Sequence, residues 1–201
     1  MLELLRTKAW IRRSLSALSA VLLLGGVALV GYPFFTNVWQ SRLQTKLTKQ
    51  LVSPELQQAY KDHTVQTGDS LTRIRIPAIN LDVVVVEGVT PSALRAGAGH
   101  YPQSPLPCET GNVAIAGHRT TYGKPFGNLD QLKPGDTIEL TTPIGGCVYQ
   151  VTKAPYPVDP NDLSVLDATP DRSVTLTTCH PRGSAAQRLI VKGTWLKTLP
   201  A

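Results

Sequence analysis

The sequence predicts an all-β domain, a closed barrel or a sandwich, carried behind one N-terminal membrane-spanning helix. Three observations predict it. Charged side chains make up only 17% of the 201 residues, below the ~25% usual for soluble domains. The deficit is concentrated, because no Asp, Glu, Lys or Arg falls between Arg13 and Arg42. Beyond that block the chain breaks into short β-branched runs separated by Gly/Pro turns, the pattern of barrels and sandwiches. The 160 residues of 42–201 suffice for one well-buried core without staples. Their Val, Ile and Leu content and mixed charge exclude disorder for most of the chain.

The elements follow in order. Residues 1–13 carry Arg6, Lys8, Arg12 and Arg13 against Glu3, half of the net charge of +6. The remaining excess is spread without a basic run, which argues against nucleic-acid binding. Leu15 to Phe35 is a mostly apolar stretch of 21 residues, and a helix needs about 20 to cross the hydrocarbon core. Trp10, Tyr32 and Trp39 fall near its ends, where interfacial aromatics are expected. The preceding basic cluster puts the N-terminus in the cytoplasm and the body of the chain outside. A cleaved signal would be shorter and end in an A-x-A-like site, whereas this segment ends Gly31-Tyr-Pro-Phe34. A buried core helix is the third reading. Gly25-Gly26 is not a GxxxG pattern and argues no dimer.

Leu43, Leu47 and Leu51 recur every fourth residue and suggest a helical stalk, ended or reset at Pro54. Asp62 to Ser70 is polar and reads as a linker. Strands are expected at 73–76, 81–86, 111–117, 137–141, 147–158, 173–178 and 188–195. Short helices are expected at 91–94, 126–132 and 161–166. The connection 155–172 holds Pro155, Pro157, Pro160 and Pro170. It is long enough to be functional, as a shaped wall or as a variable surface loop.

Three residues carry the candidate chemistry. Cys179 ends a strand in Thr175-Leu-Thr-Thr-Cys-His-Pro181, a fixed platform opening onto a loop, and a thiolate there would be a strong nucleophile. His118 ends another apolar strand, in Ala114-Ile-Ala-Gly-His-Arg119, and two strand ends can share one mouth of a barrel. Arg188 starts the strand after Cys179, and its permanent charge suits an oxyanion or a substrate carbonyl. The Thr178 hydroxyl and nearby amides are further donors. Each has a plain alternative: a packed small residue, a structural histidine, a solvated cation. His63 reads as surface. His100 and His180 are lesser base candidates, since adjacent strand residues such as Cys179 and His180 face opposite ways. The close ligand pairs common in structural zinc sites are missing, and no carboxylate cluster suggests calcium. The sequence therefore predicts no metal and no cofactor.

Gly111-Asn-Val-Ala-Ile-Ala-Gly-His-Arg119, then Thr175-Leu-Thr-Thr-Cys-His-Pro181, then Arg188, behind an N-terminal anchor, resembles the sortase family. The match runs from about Arg73 to Trp195. The stretch from Ala116 to Phe126 most resembles the class E sortases of actinobacteria, with class D the nearest competitor. The resemblance implies an eight-stranded β-barrel. It also implies a cysteine transpeptidase that cleaves a sorting signal between Thr and Gly through a thioester and passes the protein to a lipid-linked peptidoglycan precursor. Cys179 is then the nucleophile, His118 the general acid/base and Arg188 the oxyanion-stabilising cation. Thr178 would help hold the acyl group. Tyr101 falls where class E enzymes carry a tyrosine linked to preference for Leu-Ala-x-Thr-Gly over Leu-Pro-x-Thr-Gly. The 155–172 connection matches the loop lining the signal groove. The expected organisation is a cytoplasmic tail (1–13), a transmembrane anchor (14–41), a stalk and linker (42–71) and a catalytic barrel (72–201).

Cys108 and Cys147 match no family position. A disulfide between them would leave Cys179 free, in agreement with the odd cysteine count; the alternative is two small buried thiols. Competing functions are an L,D-transpeptidase, whose compact Ser-His-Gly-Cys motif is missing, a secreted cysteine protease, and an anchored scaffold on an inactive barrel.

Overall fold

A computed structural model of the chain describes residues 9–200. Two units separate, one up to Val38 and one from Trp39 onward. Helix α1, Ala9–Leu51, begins in the first and ends in the second. Its N-terminal part is long and apolar enough to cross a membrane, and its leucines and valines there are exposed.

The second unit is an eight-stranded closed barrel. Strands β1 (Ser70–Ile76), β2 (Leu81–Glu87), β3 (Ala98–His100), β4 (Asn112–Ala116), β5 (Thr137–Thr142), β6 (Gly145–Val151), β8 (Ser173–His180) and β9 (Gln187–Leu199) form it. The order around the ring is β6-β5-β1-β2-β3-β4-β8-β9, and a β6–β9 pairing closes it. A short ninth strand, β7 (Tyr156–Val158), adds to β9 beside Arg188. Neighbours are antiparallel except β2–β3 and β4–β8. Closure removes the sheet edges that an open sheet of this size would expose.

After the exposed Asp82, Val83-Val-Val-Val86 is continuously apolar because this part of β2 is covered on both faces. Val85 points into the barrel core with Ile74, Ile115 and Leu176. Val84 and Val86 pack outward against Leu47, Leu51 and Leu56. The last two leucines of the 43–47–51 series thus serve the domain itself, lying on the barrel rather than standing clear of it. Helix α2 (Pro54–Lys61) starts at Pro54, with the Ser53 hydroxyl accepting from the Leu56 N–H at 3.2 Å. Helix α3 (Pro91–Ala96) makes the crossover between β2 and β3, with the Thr90 hydroxyl accepting from the Ala93 N–H at 3.3 Å.

Two strand expectations needed revision. The run 147–158 is two strands, because the chain leaves the barrel after Val151 and Pro155 has no N–H to continue the ladder. Strand β3 was missed, because Ala98-Gly-His100 has no β-branched residue and is a strand only through its neighbours. The expected helices at 126–132 and 161–166 shrink to single turns at Leu129–Gln131 and Ser164–Leu166.

Candidate active site

The site is built at the ends of β4 and β8. These strands run parallel with a constant offset from Asn112↔Ser173 to Ala116↔Thr177. Beyond the last pair, the Gly117 N–H donates to the Thr177 carbonyl at 3.1 Å. The Thr178 hydroxyl donates to the Gly117 carbonyl at 2.8 Å. His118 and Cys179 therefore leave the barrel side by side. Gly117 has to lack a side chain here, since a Cβ would lie 2.7 Å from the Phe126 ring. On the other side β9 pairs antiparallel with β8 and sets Arg188 opposite Cys179.

Cys179, His118, Arg188, Thr178 and Tyr101 all line one cavity of about 210 Å³. Its further walls are Val89 and Leu94, on and before α3, and Ala116, Gly117 and Thr177. The Arg188 Nη1 lies 4.0 Å from the Cys179 sulfur and also donates to the Ala185 and Gln187 carbonyls at 3.1 and 3.2 Å. Cys179 is the free thiol. The Tyr101 hydroxyl is 3.4 Å from the Thr177 hydroxyl. Burial first, and then the charge of Arg95, hold the His118 imidazole below its usual range. The His118 ring lies tilted at 41° to Tyr122 with centroids 5.2 Å apart, and the Arg95 guanidinium lies 5.7 Å over that same Tyr122 ring.

The other sequence candidates lie elsewhere. The His180 Nδ1 accepts from the Arg119 Nη1 at 2.9 Å. His100 is fully buried, with Nδ1 2.8 Å from Glu87 and Nε2 2.9 Å from the Pro105 carbonyl. It braces the segment that carries Tyr101. His63 pairs with Glu109 at the surface. Cys108 and Cys147 are joined to each other and line a different cavity or the core. The 155–172 connection does not line the Cys179 cavity. It flanks Arg188 through the Val158↔Arg188 pair. Asn112 ties it down by donating to the Val165 and Asp167 carbonyls at 3.1 and 3.0 Å. Sequence reasoning gave no role to Arg95, Arg119 or Tyr122. The last two stood inside the quoted motif, and only the fold brings Arg95 to it.

A nucleophile, an imidazole and a fixed cation on one half-enclosed cavity are the parts of acyl transfer. The family model for the sortase domain matches residues 74–195. The chain belongs to the sortase family. It is 31% identical to Sortase SrtE1 of Streptomyces coelicolor, over 67% of this chain and 43% of that protein. It is 33% identical to Sortase D of Bacillus subtilis, over 64% of this chain and 65% of that one. It thus spans less than two thirds of the length of either relative. A Clostridium perfringens Sortase D5 transpeptidase superposes with a TM-score of 0.68 at 28% identity, covering 79% of this sortase and 98% of the other.

Proposed function

We propose that this sortase is a membrane-anchored cysteine transpeptidase, class E-like, that joins secreted proteins to the cell wall. The observation that carries the reading is the convergence of Cys179, His118 and Arg188 on one cavity. The Cys179 thiolate attacks the Thr–Gly carbonyl of a C-terminal sorting signal. Arg188 faces the charge that develops on the carbonyl oxygen. His118 gives its proton to the leaving glycine amine, and the thioester remains on Cys179. An amine of a lipid-linked peptidoglycan precursor then loses a proton to His118 as it attacks, the C–S bond breaks, and Cys179 leaves as the thiolate. The Thr178 hydroxyl, already given to Gly117, holds the β4 and β8 ends together. Tyr101, on the cavity wall, selects Leu-Ala-x-Thr-Gly over Leu-Pro-x-Thr-Gly.

Residues 1–13 lie in the cytoplasm, 14–41 cross the membrane, 42–71 join anchor to barrel, and 72–201 form the catalytic domain outside the cell. Anchoring raises the effective concentration of a membrane-held donor and acceptor. The test is to incubate the full-length chain in lipid vesicles with each peptide and a diaminopimelate-containing acceptor, and to follow products by mass spectrometry. A transfer product is expected, absent with Cys179→Ala and reduced at least ~100-fold with His118→Ala. Transfer persisting in Cys179→Ala would remove the nucleophile. Hydrolysis alone, with an acceptor present, would favour the protease reading. No cleavage of either peptide by folded protein would favour the scaffold.

A further inference from the structure

Arg119 follows His118 in sequence, yet its side chain turns toward β8. It is 4% exposed. Its Nη1 donates to the backbone carbonyl of Cys179 at 3.2 Å and to the His180 Nδ1 at 2.9 Å. Its Nη2 lies 3.3 Å from Asp130. Its Nε is buried with no hydrogen-bond partner among the described residues. Burying a cation is costly unless it is paired and hydrogen-bonded, and here one nitrogen is left unpaired. The pairing is also incomplete in charge. Asp130 is shared with Arg182, whose Nη2 donates to it at 3.1 Å and to the Asn128 side-chain oxygen at 3.2 Å. Two guanidinium groups on one carboxylate leave one net positive charge beside the nucleophile's backbone.

The position of these bonds explains the expense. The β4–β8 ladder stops at Ala116↔Thr177, two residues short of the site. Thr178 then reaches Gly117, and Arg119 reaches Cys179. Side chains thus continue the pairing from both strands in alternation, with His118 and Cys179 inside the extension. Because Nη1–H is the donor, the His180 Nδ1 is the acceptor, and a neutral His180 ring carries its proton on Nε2.

We propose that Arg119 is a positioning residue of the transfer reaction. By holding the Cys179 carbonyl and the His180 ring it fixes the direction of the Cys179 side chain. The proposal rests on the transpeptidase reading for its catalytic part only.

The test uses the 201-residue chain and two variants, Arg119→Gln and Arg119→Lys, with folding checked by circular dichroism. The rate of iodoacetamide reaction at Cys179 is read at one pH, and kcat and KM are measured on the sorting-signal peptide. In Arg119→Gln, kcat falls about 10- to 100-fold while KM stays within about twofold, and alkylation of Cys179 slows as the sulfur loses its fixed direction. Arg119→Lys recovers only part of kcat, since one ammonium cannot span both acceptors. A merely structural arginine would lower stability and leave kcat and the alkylation rate of the folded protein unchanged. A folded Arg119→Gln protein with wild-type kcat or a wild-type alkylation rate overturns the proposal, as does a loss seen in KM alone. If Arg119→Gln does not fold, Arg119→Lys decides alone, and a wild-type kcat overturns it. Alkylation needs no peptide, so this outcome stays separate from any failure of the proposed reaction.

Discussion

The imidazole of His118 is pushed in one direction by two separate influences. Burial disfavours the charged ring, and the Arg95 guanidinium adds like-charge repulsion across Tyr122. Both favour the neutral base, so the form able to protonate a leaving amine is scarcer than in a free imidazole. Arg95 itself is exposed, so its share is modest and screened by salt. Arg95→Gln is therefore expected to raise the His118 titration midpoint, read by NMR, and to move the acid limb of the kcat/KM profile to higher pH. The shift should shrink as salt is added. The stability consequence has a defined sign. With the folded value below the unfolded one, the unfolded chain binds more protons in that window. His118 thus lowers stability as pH falls through the usual imidazole range, and the loss is complete below the folded value. An unmoved midpoint in the variant would leave burial as the whole cause.

At the scale of elements, most of the site was legible because it depends on strand ends. Cys179, His118 and Arg188 each stand where a β-branched run meets a turn, and the parallel β4–β8 offset keeps the first two together. What the sequence hid was held by long-range neighbours. Strand β3 exists through β2 and β4. The end of α1 is tied to the barrel through Gln44, as well as through Gln50 and the Leu47 carbonyl, which bond Ser70 of β1. At Val84, just before β3 begins to pair with β2, the Gln44 Oε1 accepts from the Val84 N–H at 2.7 Å. The Gln44 Nε2 donates to the Val84 and Ala96 carbonyls at 3.2 and 2.8 Å. A side chain thus stands in for a missing strand and also holds the C-terminal end of α3, whose Leu94 walls the cavity. No periodicity announces such a residue, since it reads as one more polar position on a helix. Losing a partly buried hydrogen-bonding group costs about 1–3 kcal/mol, which for a domain of this size lowers Tm by about 2–12 °C. Gln44→Ala should show that loss in a thermal melt, while Gln57→Ala, whose bond to the Pro143 carbonyl is exposed, should melt like the wild type.

Over the whole molecule, the cysteines divide into one bonded pair and one free thiol. The sequence showed the odd count, and it could not decide whether Cys108 and Cys147 meet, because they lie 39 residues apart and only barrel closure brings them together. Cys108 sits in the β3–β4 connection and Cys147 on β6, so their bond crosses between parts of the ring that share no strand pairing. Cys108 also lines a cavity of about 500 Å³ with Tyr60, Arg172 and Trp195, none of which reaches the Cys179 cavity. A cross-link closing a loop of that length removes about 4 kcal/mol of unfolded-state entropy in the chain-entropy account. Thiol titration of the denatured, unreduced protein should therefore find one thiol. Cys108→Ser with Cys147→Ser should lower the denaturant midpoint by an amount corresponding to about 2–5 kcal/mol. Turnover of the still-folded double variant, measured well below its Tm, should remain near wild type, because β4, β8 and β9 keep their own pairing. A loss of turnover equal to that of Cys179→Ala would mean that the bridge shapes the site and not only the barrel.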